Sequence, residues 1–349
     1  MPRKRFVLLL MASLLAVAFL AGCVYAVRTT AIRGNGNALR DNTLVIYSPH
    51  PVLLSKPLLV EFEKETGIHP EMVRAGTGEL LARLDEEKDA PACDVMWGGS
   101  VSSVSPKSYL FDDYVSANNE QMQPDFRNDG GPLTWFSDLP RVLIINTNLV
   151  SAQSVKGYAD LLNPSLRGRI AAADPAKSDA AYEHLSNMLA AMGQGNEEQG
   201  WAYVASLCQQ LDGKLMDNSR AVYQSVADGD MAVGLTFEEG AAKSIADGAP
   251  VAIVYMEEGV AASPDGIYLV KGAKHPENAK KLIDFLTGSK AQSMLVTQLH
   301  RRSVRSDMPA PRDIPPKDKI HMIPTNPYAA QKREAWVAHF HQIYDHAAL

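Results

Sequence analysis

Leu44-Val45-Ile46-Tyr47 is a short apolar run, broken at once by Ser48-Pro49-His50-Pro51. Its length and composition suit a buried parallel strand. Apolar residues then recur at Leu54, Leu58 and Phe62, a helical spacing, until Thr66-Gly67 stops the helix. Pro70 to Arg74 reads as a second strand. Gly76-Thr77-Gly78-Glu79 turns into a helix over Leu80 to Lys88, with Thr77 placed to cap it. Asp94-Val95-Met96-Trp97 is a third strand, followed directly by the loop Gly98-Gly99-Ser100. Three strand–loop–helix units in about sixty residues predict an α/β fold with a mostly parallel sheet flanked by helices.

Further along, the rhythm repeats. Arg141 to Asn146 is an apolar strand. Ile170 to Pro175 is another, running through Ser178-Asp179-Ala180 into a helix that reaches about Met192. A helix from Ser219 to Ala227 ends at Gly229, and Met231 to Phe237 forms a strand that meets Glu238-Glu239. Ile267 to Val270 is a late strand, and Pro276 opens a helix with an apolar face at Ala279, Leu282, Ile283 and Leu286. A second set of α/β units thus begins near residue 141. A chain of 349 residues has room for two such bodies, each with its own core.

Upstream of the first strand the character changes. Arg3, Lys4 and Arg5 precede an apolar run from Phe6 to Leu20 and then Leu20-Ala21-Gly22-Cys23. This is a secretory signal with small residues before a cysteine. It resembles the bacterial lipobox, in which the cysteine is acylated and becomes the new N-terminus. Cleavage after Ala26 is the alternative. The run is short for a membrane span. Residues 24 to about 41 lack an apolar period and read as a tether. Two cysteines remain, Cys93 and Cys208, outside any CxxC or zinc-type spacing. They read as small apolar residues, though an oxidising compartment permits their pairing.

Composition excludes several classes. Apolar residues make up 46% and charged residues 21%, the profile of a globular protein. The formal charge is −6 and no basic block follows the signal, which argues against nucleic acid. There is no GxSxG, HExxH or P-loop, and no GxGxxG after the first strand, so an enzyme is not expected. His339, His341 and His346 read as a solvated helix end rather than a metal site. No cofactor is expected.

In open parallel sheets, ligands sit at the carboxyl ends of the strands. The loops there contain Ser48 and His50, Thr77 and Gly78, Gly99 and Ser100, Ser178-Asp179-Ala180, and Glu238. Glycine lets the backbone approach closely, hydroxyls supply adaptable hydrogen bonds, and helix N-termini offer unpaired N–H groups. Convergent helix N-termini favour an anion, phosphate above all. Trp97 reads as core rather than as a stacking platform.

Ile46 to His50, Ala75 to Leu80 and Asp94 to Gly99 resemble the periplasmic solute-binding proteins of ABC importers, in the subgroup of ferric-iron, phosphonate and sugar-phosphate binders. Ala173-Asp174-Pro175 with Ser178, Ala232 to Glu238, and Lys274 to Lys281 continue the resemblance in order. It implies a type II, two-lobed periplasmic-binding fold with the ligand in the cleft between lobes. The iron binders hold metal with a first-loop histidine, an acid after the third strand and two adjacent tyrosines. Here His50 remains, but Gly98-Gly99-Ser100 stands at the acid and Phe237-Glu238-Glu239 at the tyrosines. In the same subgroup an anion is held at the segment matching Ser178-Asp179-Ala180 and at the asparagine matching Asn218, beside Ser219. Asp179 stands where glycine is more usual.

The expectation is therefore a signal peptide over 1–22, a lipid-anchored tether over 23–41 and a first lobe over 42–140. A second lobe follows over 141–264, a return to the first over 265–305 and a helical tail over 306–349. The function expected is capture of a sugar phosphate or aminophosphonate for an ABC permease and its ATPase, by a periplasmic or cell-surface lipoprotein anchored to the membrane. Ferric iron is the alternative ligand. A lipoprotein sensor is the alternative role.

Overall fold

The computed structural model describes residues 42–212, 215–262, 264–326 and 328–347. Cys23, the signal segment and the tether lie outside them. In the first lobe β1 (Thr43–Ser48) pairs in parallel with β2 (His69–Arg74) and β3 (Val95–Ser100). Helices α1 (Val52–Thr66) and α2 (Thr77–Glu86) join these strands, and the short α3 (Val101–Val104) follows β3. Gly67 ends α1 in the left-handed conformation, φ 69°, with its N–H bonded to the Glu63 carbonyl. The capping expected of Thr77 is not seen. Gly76 holds the N-cap position of α2, and no side chain caps it.

β4 (Phe111–Asp112) and β5 (Thr134–Asp138) complete the outward pass, after which the chain crosses to the second lobe. There β6 (Arg141–Asn146), β7 (Ile170–Ala171), β8 (Val233–Phe237) and β9 (Val251–Val254) form a sheet in the order β7-β8-β6-β9. Helices α4 (Asp179–Gly193), α5 (Glu197–Gln210), α6 (Ser219–Ala227) and α7 (Glu238–Ala246) flank it. β10 (Asp265–Val270) then returns to the first sheet, followed by α8 (Pro276–Thr287), α9 (Ser289–Gln298) and β11 (Arg302–Ser303).

The α/β architecture is as expected, but neither sheet is mostly parallel. β10 runs antiparallel to β3, β4 and β5, and β11 runs antiparallel to β5. Among the named strands of the second lobe, β7–β8 is parallel and β6 opposes both β8 and β9. Parallel neighbours need a crossover connection. A strand arriving from the other lobe enters without one, and here it runs the opposite way.

The central strands of both sheets are buried on both faces, so their side chains alternate between two cores. In β1, Leu44 and Ile46 pack with Leu58, Phe136 and Leu282, while Tyr47 packs with Leu80, Met96 and Tyr268. In β6, Leu143 and Ile145 face one core while Val142 and Ile144 face the other. The stretch expected as a helical tail contains α10 (Ala329–Ala347), whose Trp336 and Phe340 join the second lobe's core with Ile320. Cys93 and Cys208 are buried and free. Two of the crossings between the lobes run side by side: Pro140 bridges Ala262, and the Arg141 N–H bonds the Ala261 carbonyl at 3.1 Å.

Candidate functional site

A cleft of about 840 Å³ lies between the lobes. Helices α2, α4 and α6 begin on its walls. Of the residues expected from sequence, His50, Thr77, Gly78, Gly99, Ser100, Ser178, Asp179, Ala180, Asn218 and Ser219 all line it. Ser178 and Asn218 are the N-caps of α4 and α6: Ser178 Oγ accepts from the Ala181 N–H, and Asn218 Oδ1 from the Ala221 N–H at 3.0 Å. β3 extends through the glycines expected as a loop, with positive φ of 108° at Gly98 and 93° at Gly99. A Cβ on Gly98 would stand 2.9 Å from His50 Nε2, so glycine there lets the strand pass under the histidine.

Two expected residues do not reach the cleft. Ser48 is fully buried beneath it, its Oγ accepting from the His50 N–H at 3.2 Å. Glu238 turns away into an ion pair between lobes. Arg302 donates from Nε to Glu238 Oε1 at 2.8 Å and from Nη2 to Oε2 at 2.8 Å, and Tyr255 donates its hydroxyl to Oε2 at 2.7 Å. The neighbouring Glu239 lines the cleft instead. Trp97 is buried core, edge-on to His50. Arg220, one residue into its helix, is exposed and outside the cleft.

The charges of the cleft were largely missed by the sequence reading. Arg74, Arg141, Lys177, Arg301 and Arg333 line it, against Glu79, Asp179, Glu183, Glu239 and Asp265. The numbers balance, so what matters is which charges are already engaged. Lys177 reaches Asp217 at 2.6 Å. Arg333 reaches Asp179 at 2.6 Å. Glu183 accepts from Ser102 Oγ across the lobes at 2.6 Å. On the floor, Asp265 lies 3.0 Å from His50 Nε2 and 3.4 Å from Arg301 Nη2, and accepts from Ser137 Oγ. Burial pushes the Asp265 carboxyl up, but Arg301 and His50 outweigh it and hold it below its usual range.

Arginine donors are left over. Arg141 opens β6, is 3% exposed, and its Nε is buried with no hydrogen-bond partner among the described residues. Burial depresses its basicity, and Glu183, Tyr158 and Asp138 oppose that effect. Arg301 Nε stands 3.2 Å from Glu239 and Nη2 3.4 Å from Asp265, while Nη1 is buried with no hydrogen-bond partner among the described residues. Buried donors ordinarily have partners, which singles out Arg141 Nε and Arg301 Nη1. In the sequence Arg141 is only a charged residue at the head of a mainly apolar strand that ends in Asn146.

A two-lobed α/β body with a polar cleft at the hinge defines a ligand-capturing protein. Residues 106–329 match the bacterial extracellular solute-binding protein family, and the chain belongs to it. Members of this family are binding proteins, not enzymes, and the chain is an extracytoplasmic solute-binding protein. Iron uptake protein A1 of Synechocystis is 23% identical over 288 residues, covering 77% of this chain and 78% of its own. The fructose-6-phosphate-bound periplasmic binding protein AfuA of Actinobacillus pleuropneumoniae superposes with a TM-score of 0.72 at 22% identity. That match covers 87% of this chain and 97% of AfuA. A solved two-component system protein that mediates signal transduction superposes with a TM-score of 0.72 at 30% identity, covering 85% of this chain and all of its own.

Proposed function

We propose that the protein captures a small solute bearing a phosphate or phosphonate group, closes its lobes around it, and delivers it to a membrane permease of an ABC importer. The observation that carries this reading is the pair of buried arginines, Arg141 and Arg301, which line the cleft and keep donors with no hydrogen bond among the described residues. A buried N–H without an acceptor is costly, and the oxygens of an anionic ligand would supply one. Guanidinium forks match phosphate oxygens, and the helix N-termini at Thr77, Ser178 and Ser219 add backbone donors. The carboxylates Glu239 and Glu79 suit the hydroxyl or ammonium groups of the same solute. Donors come from both lobes, so binding favours the closed state.

Ferric iron fits these residues less well. The chain has Phe237-Glu238-Glu239 where a tyrosine pair would be needed, and Glu238 is engaged by Arg302. Among the described residues no three His, Cys, Asp or Glu side chains gather as a metal set. Fe³⁺ wants several charged oxygen ligands.

A lipid anchor at Cys23 is part of this reading. The likeness at 30% identity to a two-component system protein supports a second one, in which the same ligand is sensed rather than imported. Uptake of a labelled phosphate ester by cells lacking the gene separates the two: import fails under the first reading and persists under the second. Native mass spectrometry of freshly purified protein tests the ligand. A co-purified phosphate- or phosphonate-bearing molecule is expected. A cationic or neutral solute in its place would contradict the proposal.

A further inference from the structure

The family match ends at residue 329, where α10 begins. This helix nevertheless supplies one wall residue of the cleft, Arg333. It is fastened to the second lobe on both sides of that residue. The Tyr182 hydroxyl donates to the Ala329 carbonyl, Lys332 and Trp336 Nε1 reach Glu197, and His341 Nε2 lies 2.9 Å from Asp174. The Arg333 guanidinium sits over the Tyr182 ring, 4.3 Å from its centroid, which fixes its plane. From there Nη2 donates to Asp179 Oδ1 at 2.6 Å and Nη1 to Ser103 Oγ at 3.1 Å. Ser103 Oγ in turn donates to the Asp179 carboxylate at 3.1 Å.

Asp179 is the first residue of α4, at the helix end whose N–H groups face the cleft beside the N-cap Ser178. An unopposed carboxylate at that point would repel an anion, and repulsion is strong where water is scarce. We infer that Arg333, borne on a helix outside the family segment, is a specificity-determining positioning residue. It engages the Asp179 carboxylate and so leaves the α4 N-terminus free to bind a phosphate or phosphonate group. The inference rests on the anionic reading of the cleft. Arg333 uses two of its five N–H donors on Asp179 and Ser103, so its remaining edge can also face the ligand.

The test is a double-mutant cycle read by calorimetry with glucose 6-phosphate and 2-aminoethylphosphonate as probes, and glucose and ethanolamine as their counterparts. Arg333→Met is expected to weaken binding of the phosphorylated or phosphonate probes roughly 10- to 100-fold. Arg333→Lys should keep most of the affinity. Asp179→Asn alone should bind at least as well as wild type. Asp179→Asn in the Arg333→Met background should recover most of the loss, because the charge Arg333 opposes is then gone. An unchanged affinity in Arg333→Met overturns the inference. So does a loss that Asp179→Asn does not rescue, which would make Arg333 a packing residue only. A wild type that binds neither anionic probe sinks the anionic reading itself, and this inference with it.

Discussion

Arg302 of the first lobe holds Glu238 of the second in a two-pronged ion pair, 2.8 Å at each prong, with both side chains almost fully buried. Arg302 also donates to the Pro315 carbonyl at 2.7 Å, which ties the chain after β11 to the same point. Removing one partner leaves a buried charge alone. Arg302→Met should therefore destabilise the protein by about 3–5 kcal/mol, seen as a lower urea midpoint, while replacing both residues with apolar ones should recover much of it. A single variant as stable as wild type would show that the pair is dispensable.

His184 gives the fold an acid limit. It is fully buried on α4, donates from Nε2 to the Thr236 carbonyl, and lies 3.1 Å from the Tyr158 hydroxyl through Nδ1. Burial, helped by the charge of Arg141, pushes it from 6.5 down to about 3. Its folded pKa is depressed, so the unfolded chain takes the proton first. The stability it contributes is present above pH 6.5 and is lost as pH falls towards 3, by up to about 1.4 kcal/mol per unit. Unfolding curves between pH 7 and about 4 should show a shallower decline for His184→Gln than for wild type. Equal slopes would refute the assignment.

Much of the frame was legible in the sequence, and for identifiable reasons. β1, β6 and α6 fall where apolar runs and helical spacing place them, because strands buried on both faces read as nearly unbroken apolar runs. The antiparallel entry of β10 was not legible, since strand direction depends on which lobe the chain comes from. The cleft's loops were legible as glycine, hydroxyl and cap residues at strand ends. Its arginines were not. Arg141 hides at the head of an apolar strand, Arg301 follows a helix of the first lobe, and Arg333 arrives from the last helix. Ser48 and Glu238 carry the right chemistry in the right loops, but one is buried beneath His50 and the other is taken by Arg302.

The Leu20-Ala21-Gly22-Cys23 segment predicts a covalent anchor at Cys23. Leu20-Ala21-Gly22-Cys23 follows an apolar signal run, so labelled palmitate should enter wild type expressed in bacteria and not Cys23→Ala. Equal labelling of both would point to cleavage elsewhere, with Ala26 the first site to check.

The central claim is that Arg141 receives the anionic group of the solute. Calorimetry on wild type and Arg141→Met tests it most directly, with phosphate esters and phosphonates set against their neutral or dephosphorylated counterparts. The account predicts that wild type prefers the anionic member of each pair. It also predicts that Arg141→Met loses roughly 10- to 100-fold or more of that affinity, since one hydrogen bond to a charged group is worth about 1.5–3 kcal/mol. Equal binding of both members of a pair, or full affinity in Arg141→Met, would contradict it.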